Sequence, residues 1–270
     1  MSRIYSLAQL TTLELSPPEM VTASAKAGYQ ACGLRLLPVA PGGVAYRLMD
    51  DPVMLKETLA RMADTGVLIG DIEIIRLAEH FNPKDYERFF EVGQQLGASK
   101  ILVAGDDPDE QRVTESFARL CEACLPYDLT ADIEFMPWIG VDSLSKAQRV
   151  VATAGQSNGG VLVDALHFAR SKSTLDELAA LPPSMIHYAQ ICDGPAGIPA
   201  STEELIHTAR CERLLPGEGG LPLADIFKRL PADTLISVEI PHDKRCAEMG
   251  PQAWANETLK ASRRLIESLD

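Results

Sequence analysis

Short apolar, β-rich runs recur along the chain with helical stretches between them. They are IYSLAQL from Ile4, ACGLRLL from Ala31, VLIGDIEII from Val67, KILVAG from Lys100, LTADIEFM from Leu129, GVLVDAL from Gly160, MIHYAQIC from Met185 and TLISVEI from Thr234. Successive runs start roughly thirty residues apart, the length of one strand–helix–strand unit. The last interval is longer and predicts an insertion around residues 195–216. Between the runs, apolar positions fall at helical spacing. Helices are predicted over residues 17–27, with Ser16 as N-cap and Gly28 as stop, and over 51–64, 83–96, 143–154 and 251–269.

KILVAG and GVLVDAL are nearly continuous in apolar residues, which suits parallel strands covered on both faces. Eight such units without a Gly/Ser linker predict an α/β chain folded as one (β/α)8 TIM barrel over residues 1–270. The rival, an open doubly wound sheet, normally carries a GxGxxG turn after its first strand. Here the first run leads into Gln9-Leu10-Thr11-Thr12.

Composition narrows the partners. Hydrophobic residues make up 46% and charged residues 23%, ordinary globular values. Lys+Arg number 25 against Asp+Glu 38, a net charge of −13, which argues against a nucleic-acid partner. No window approaches the roughly 18 apolar residues of a membrane helix, and the start does not read as a signal peptide. The six cysteines are scattered, and the lone Cys121/Cys124 pair lies in a helical pattern without further zinc ligands nearby. A cytoplasmic protein with no membrane partner is expected.

In a (β/α)8 barrel the active site lies at the carboxyl ends of the strands. Glu134 in ADIEFMPW, Asp164 in VLVDALHF and Glu239 in ISVEIP interrupt or closely follow apolar runs. A buried charge is costly unless paired or bound to metal. Each acid alone is equally consistent with a salt bridge. Together they repel one another, and a divalent cation resolves both problems. Carboxylates with the Gln190 amide suit Mg²⁺ or Mn²⁺ better than structural zinc. His167 follows Asp164 and can be aimed into the same pocket. His187 and Trp138 are candidate substrate contacts, although an extended strand points His187 away from Gln190. Arg213 precedes a Gly-rich turn that can bring it to a polar ligand. No lysine sits near a strand's carboxyl end, where a Schiff-base aldolase needs one.

The order of these residues, with IEFMPW, VDALHF, the Arg213–Gly220 stretch and SVEIP, resembles the xylose-isomerase-like TIM-barrel superfamily. The resemblance spans essentially the whole chain. It implies Glu134, Asp164, Gln190 and Glu239 as metal ligands, with His167 and Arg213 as substrate contacts. The family's epimerases carry His where Gln190 stands and a further Glu where Gly140 stands. Its nucleases bind three zinc ions through histidines on strands two, three and seven. The five histidines of this chain do not fall near the ends of runs two to four.

The resulting expectation is an enzyme with one divalent ion, Mn²⁺ or Mg²⁺ ahead of Co²⁺ or Zn²⁺. It would isomerise or epimerise a small polyhydroxylated carbonyl compound. Glu134 or Glu239 would abstract the proton α to the carbonyl and the other would return it. Dehydration of a cyclic or keto-acid polyol, with His167 as acid, is the alternative reaction. A non-catalytic sugar-binding barrel is the alternative class. A homodimer is the default assembly.

Overall fold

The computed structural model describes residues 3–40 and 42–269. Eight parallel strands close a barrel in sequence order: β1 (Tyr5–Leu7), β2 (Ala31–Arg35), β3 (Leu68–Leu77), β4 (Lys100–Gly105), β5 (Thr130–Glu134), β6 (Gly159–Asp164), β7 (Tyr188–Ile191) and β8 (Leu235–Val238). β8 pairs with β1, so no edge is left open. The (β/α)8 expectation holds.

The helices form where local signals agree. Pro17–Ala27 starts with a proline in its first turn and a capping box: Ser16 N–H donates to Glu19 Oε2 at 2.8 Å. Pro52–Thr65 starts on Asp51, whose carboxylate accepts from the backbone N–H groups of Val53 and Met54. The helix predicted over 83–96 divides into a 3₁₀ turn, Pro83–Tyr86, and an α-helix, Glu87–Gln95. The last helix is Pro251–Glu267, two residues shorter than predicted. The insertion is not irregular throughout. Thr202–Cys211 is a helix capped by Ser201, whose hydroxyl accepts from Glu204 N–H at 3.1 Å. Only Ala209 of this helix is fully buried, so its sequence carries no strong apolar stripe.

The main apolar core lies between the strands and the surrounding helices. A second, smaller cluster fills the barrel interior with Ile74, Leu102, Ala104, Met136, Leu162 and Tyr188. Much of the remaining interior is polar, with Ser6, Asp71, Asp132 and Ser237 buried. Among the described residues no helix is long and apolar enough to cross a membrane. All six cysteines are unpaired, and Cys121 and Cys124 are buried in the core.

Candidate functional site

Strand register brings the acids together. Glu134 ends β5 opposite Ala104 of β4, and Asp164 ends β6 opposite Gln190 of β7. Glu239 follows β8 directly. Glu134, Asp164 and Glu239 are all buried. Glu134, His167, Arg213, Glu239 and Trp138 line one cavity of about 330 Å³, walled by Ile74, Leu102 and Met136.

Arg213 sits between two of the acids. Its Nη1 lies 2.6 Å from Asp164 Oδ2 and its Nη2 2.9 Å from Glu239 Oε2. The Gly-rich turn holds it there by folding around Asp193. That carboxylate accepts backbone N–H bonds from Gly194, Gly217, Gly219 and Leu221 at 2.8–3.1 Å. Arg213 N–H itself donates to the Pro241 carbonyl at 2.9 Å, tying the loop to the segment after Glu239.

Asp164 also accepts from the His167 backbone N–H at 2.8 Å, capping the short helix Ala165–Arg170 and turning the imidazole inward. His167 Nε2 lies 3.7 Å from Glu134 Oε1, and its ring stands edge-on to Trp138 at 5.1 Å between centroids. Gln190 Nε2 donates to Glu239 Oε1 at 3.1 Å.

The four expected ligands therefore fall into two linked halves. Glu134 and Asp164 gather with His167, their donor atoms within 4.8 Å of one another. Glu239 and Gln190 are joined by a hydrogen bond, and Arg213 bridges the halves. His167 thus enters the ligand-capable set, a placement its spacing from Asp164 hinted at.

Electrostatics separate the groups. Burial, with the neighbouring Glu239 and Asp164 charges, raises the Glu134 carboxyl well above its ordinary value. Burial lifts Glu239 to about 7 against the opposing pull of Arg213. Burial also opposes ionisation of Asp164, but Arg213 overcomes it and holds that acid below its ordinary value. Burial drops His167 to about 4, so its imidazole is neutral at pH 7.

A divalent cation fits this donor set. Glu134 Oε1 and Gln190 Oε1 are buried without a hydrogen-bond partner, a costly arrangement that a cation would satisfy. Three carboxylates against one guanidinium leave two negative charges when all are ionised. Oxygen ligands with one imidazole are compatible with Mn²⁺, Mg²⁺, Co²⁺ or Zn²⁺.

The expectation that His187 contacts substrate needs correction. His187 does not line the cavity. It precedes β7 at the opposite end of the barrel, with Nδ1 2.6 Å from Asp132 Oδ1. Asp132 lies two residues before Glu134 on the same inward face, roughly 6–7 Å further down the barrel. The imidazole occupies the space left by Gly160, where a Cβ would stand 2.5 Å from its Nδ1. His187 is thus a floor contact, and the Asp132 hydrogen bond raises its pKa. The insertion also supplies a cavity residue that the sequence did not single out, Arg210. Arg35 also lines the cavity, and its place at the end of β2 was the available signal.

The departure at Gly140 has a steric cause. A Cβ there would lie 2.0 Å from the Asp107 carbonyl oxygen, so this backbone admits no side chain.

The comparisons agree with the barrel fold. The model described as "Xylose isomerase-like TIM barrel" matches residues 21–266. No curated protein sequence matches the chain. Among solved structures, an IOLI protein with a bound zinc atom superposes with a TM-score of 0.81 at 18% identity, covering 99% of each chain. A probable 3-DHS dehydratase, AsbF, from Bacillus anthracis gives 0.75 at 15%, covering 97% of this chain and 99% of that one. D-allulose 3-epimerase from Methylomonas sp. gives 0.71 at 13%, covering 98% of both. With the closed barrel and nearly the whole chain matched, the protein belongs to the xylose isomerase-like TIM barrel family.

Proposed function

We propose that this protein is a metal-dependent isomerase or epimerase of a small hydroxylated carbonyl compound. The observation that carries the reading is a pair of buried carboxylates, Glu134 and Glu239, facing one cavity from β5 and β8, with burial raising the proton affinity of both and placing Glu239 at about 7. Groups poised near the working pH exchange protons most effectively. Glu134, Asp164, Glu239 and Gln190, with His167 beside them, would hold the ion. When bound, it polarises the substrate carbonyl as a Lewis acid.

Glu239 takes the α-proton as carboxylate, and Glu134, whose burial favours the protonated form, delivers a proton from the end of β5. Arg213 orients Glu239 and offsets charge that develops beside it. Neutral His167 offers a hydrogen bond to a substrate oxygen and, with Trp138, shields the reacting centre from water.

A second reading, dehydration, is favoured by the apolar wall of Ile74, Leu102, Met136 and Trp138. That wall suits a cyclic substrate with few hydroxyls. The leaving hydroxyl would then take its proton from Glu134, whose burial favours the protonated form, and not from His167, which is neutral at pH 7. The unpaired cysteines support a reducing, cytoplasmic setting.

The test is ¹H NMR in D₂O. Keto-sugars, keto-acids and cyclic polyols are each incubated with protein and Mn²⁺, Mg²⁺, Co²⁺ or Zn²⁺. Deuterium entering at the α-carbon, with an isomer or epimer formed, is expected for one class. An unsaturated product identifies the dehydratase. Ligand binding without exchange in every case identifies a non-catalytic barrel.

A further inference from the structure

The cavity has a second chemical character away from its acids. Arg35, Arg76 and Arg210 all line it, although the chain carries a net charge of −13. Arg35 stands at the end of β2, Arg76 one residue before the end of β3, and Arg210 in the helix Thr202–Cys211.

Their existing partners leave capacity unused. Arg35 gives Nη2 to Glu73 at 3.1 Å, while its buried Nε has no hydrogen-bond partner. Arg76 gives Nε to the Val39 carbonyl at 2.7 Å and Nη1 to Asp106 at 2.9 Å. Arg210, half-buried, makes no side-chain hydrogen bond or ion pair among the described residues. Its pKa is lowered by burial and by the positive charges of Arg76 and Arg35. Asp243 also lines the cavity, but forms no ion pair with these arginines among the described residues and faces Cys211.

We propose that these three arginines form an anion subsite that receives a carboxylate of the substrate, making that substrate a hydroxylated carbonyl acid and not a neutral sugar. This rests on the reading of the Glu134–Glu239 end as the reacting end. Glu73 pairs with Arg35 and Asp106 with Arg76, while Arg210 pairs with no acid among the described residues, leaving one positive charge to complement a single carboxylate. Guanidinium forks match a carboxylate through paired N–H bonds, and the partly apolar surroundings strengthen them. The ligand therefore spans the cavity, its acid group at the arginines and its carbonyl at the acids.

The test uses the full chain loaded with Mn²⁺, with two probe pairs matched except for charge: quinate against methyl quinate, and D-gluconate against D-glucitol. Binding is measured by calorimetry, with D-fructose 6-phosphate as the phosphate arm. In at least one pair the acid should bind about tenfold or more tightly than its neutral partner. That preference should fall below about threefold in both Arg210→Gln and Arg76→Gln. These positions are partly exposed, so folding is checked by circular dichroism; Arg35→Gln is avoided because it strands buried Glu73.

Equal or absent binding of both members in both pairs overturns the proposal. So does a preference that survives both substitutions. Phosphate binding tenfold tighter than carboxylate assigns the subsite to a phosphorylated substrate and overturns the carboxylate. If carboxylate preference stands while no probe or panel compound exchanges its α-proton, the catalytic reading fails alone. If neutral keto-sugars exchange with no carboxylate preference, the subsite fails alone.

Discussion

Arg213 is the counter-charge that joins the two halves of the site, so replacing it with methionine of similar length should expose how much the acids depend on it. The substitution strands Asp164 and Glu239, both buried, and leaves the Ala209 carbonyl without its 2.8 Å bond from Nε. A charge-assisted hydrogen bond to Asp164 at 2.6 Å, worth roughly 1.5–3 kcal/mol, and a 2.9 Å ion pair with Glu239 are lost. Breaking such a buried ion pair from one side typically costs about 3–5 kcal/mol. For a chain of this size that is a fall in Tm of about 6–20 °C. The assay is thermal unfolding of chelator-stripped protein, read by circular dichroism at pH 8 and pH 5. The loss should be greatest at pH 8 and shrink at pH 5, where Glu239, raised to about 7, is largely protonated and needs less counter-charge. Saturating Mn²⁺ should recover about 3 kcal/mol at a hundred times Kd. A variant that unfolds within about 2 °C of wild type at pH 8 would refute the role given to Arg213.

Glu239→Gln should keep the fold, because the amide retains the volume and one acceptor, yet lower α-proton exchange by about 10²–10⁴-fold. Exchange within threefold of wild type would remove Glu239 from the chemistry. Burial, with Glu73 and Glu239 adding to it, lifts the Asp71 carboxyl to about 8, far above its unfolded value. The folded state therefore binds the proton more tightly, and stability falls as pH rises from about 4 to about 8. Asp71→Asn should remove about 2–4 kcal/mol of that loss between pH 5 and 8, measured by urea unfolding; parallel pH profiles would contradict it. His187, raised by Asp132, contributes with the same sign: its stabilisation is complete below its unfolded value and lost as pH rises through the folded one. Gly160→Ala should cost roughly 1–3 kcal/mol by the same assay, because its Cβ would stand 2.4 Å from Asp132 Oδ1. An unchanged urea midpoint would show that the floor yields freely.

The barrel was legible because its strands are short, apolar and evenly spaced, and because Ser16 and Asn82 mark helix starts by local chemistry. The acids were legible for a related reason: a carboxylate set in an apolar strand needs an explanation. Sequence spacing did not resolve what depends on three-dimensional pairing. Nothing near His187 in the chain points to Asp132, which lies on β5, two strands away around the barrel. The helix Thr202–Cys211 escaped because it lies over the barrel end and buries little, so it lacks the stripe that marks a core-facing helix. Arg210 was hidden with it. Gln190 was read as a ligand, and its amide nitrogen is committed to Glu239 while its oxygen stays free.

The central claim is that Glu134, Asp164, Gln190 and Glu239, with His167, hold one divalent ion. Calorimetric titration of chelator-stripped protein with Mn²⁺ tests it directly. One ion per chain is predicted, with affinity falling more than about tenfold in Glu134→Gln and in Asp164→Asn while both variants remain folded. Absence of stoichiometric binding to the wild type, or unchanged affinity in both variants, would contradict it.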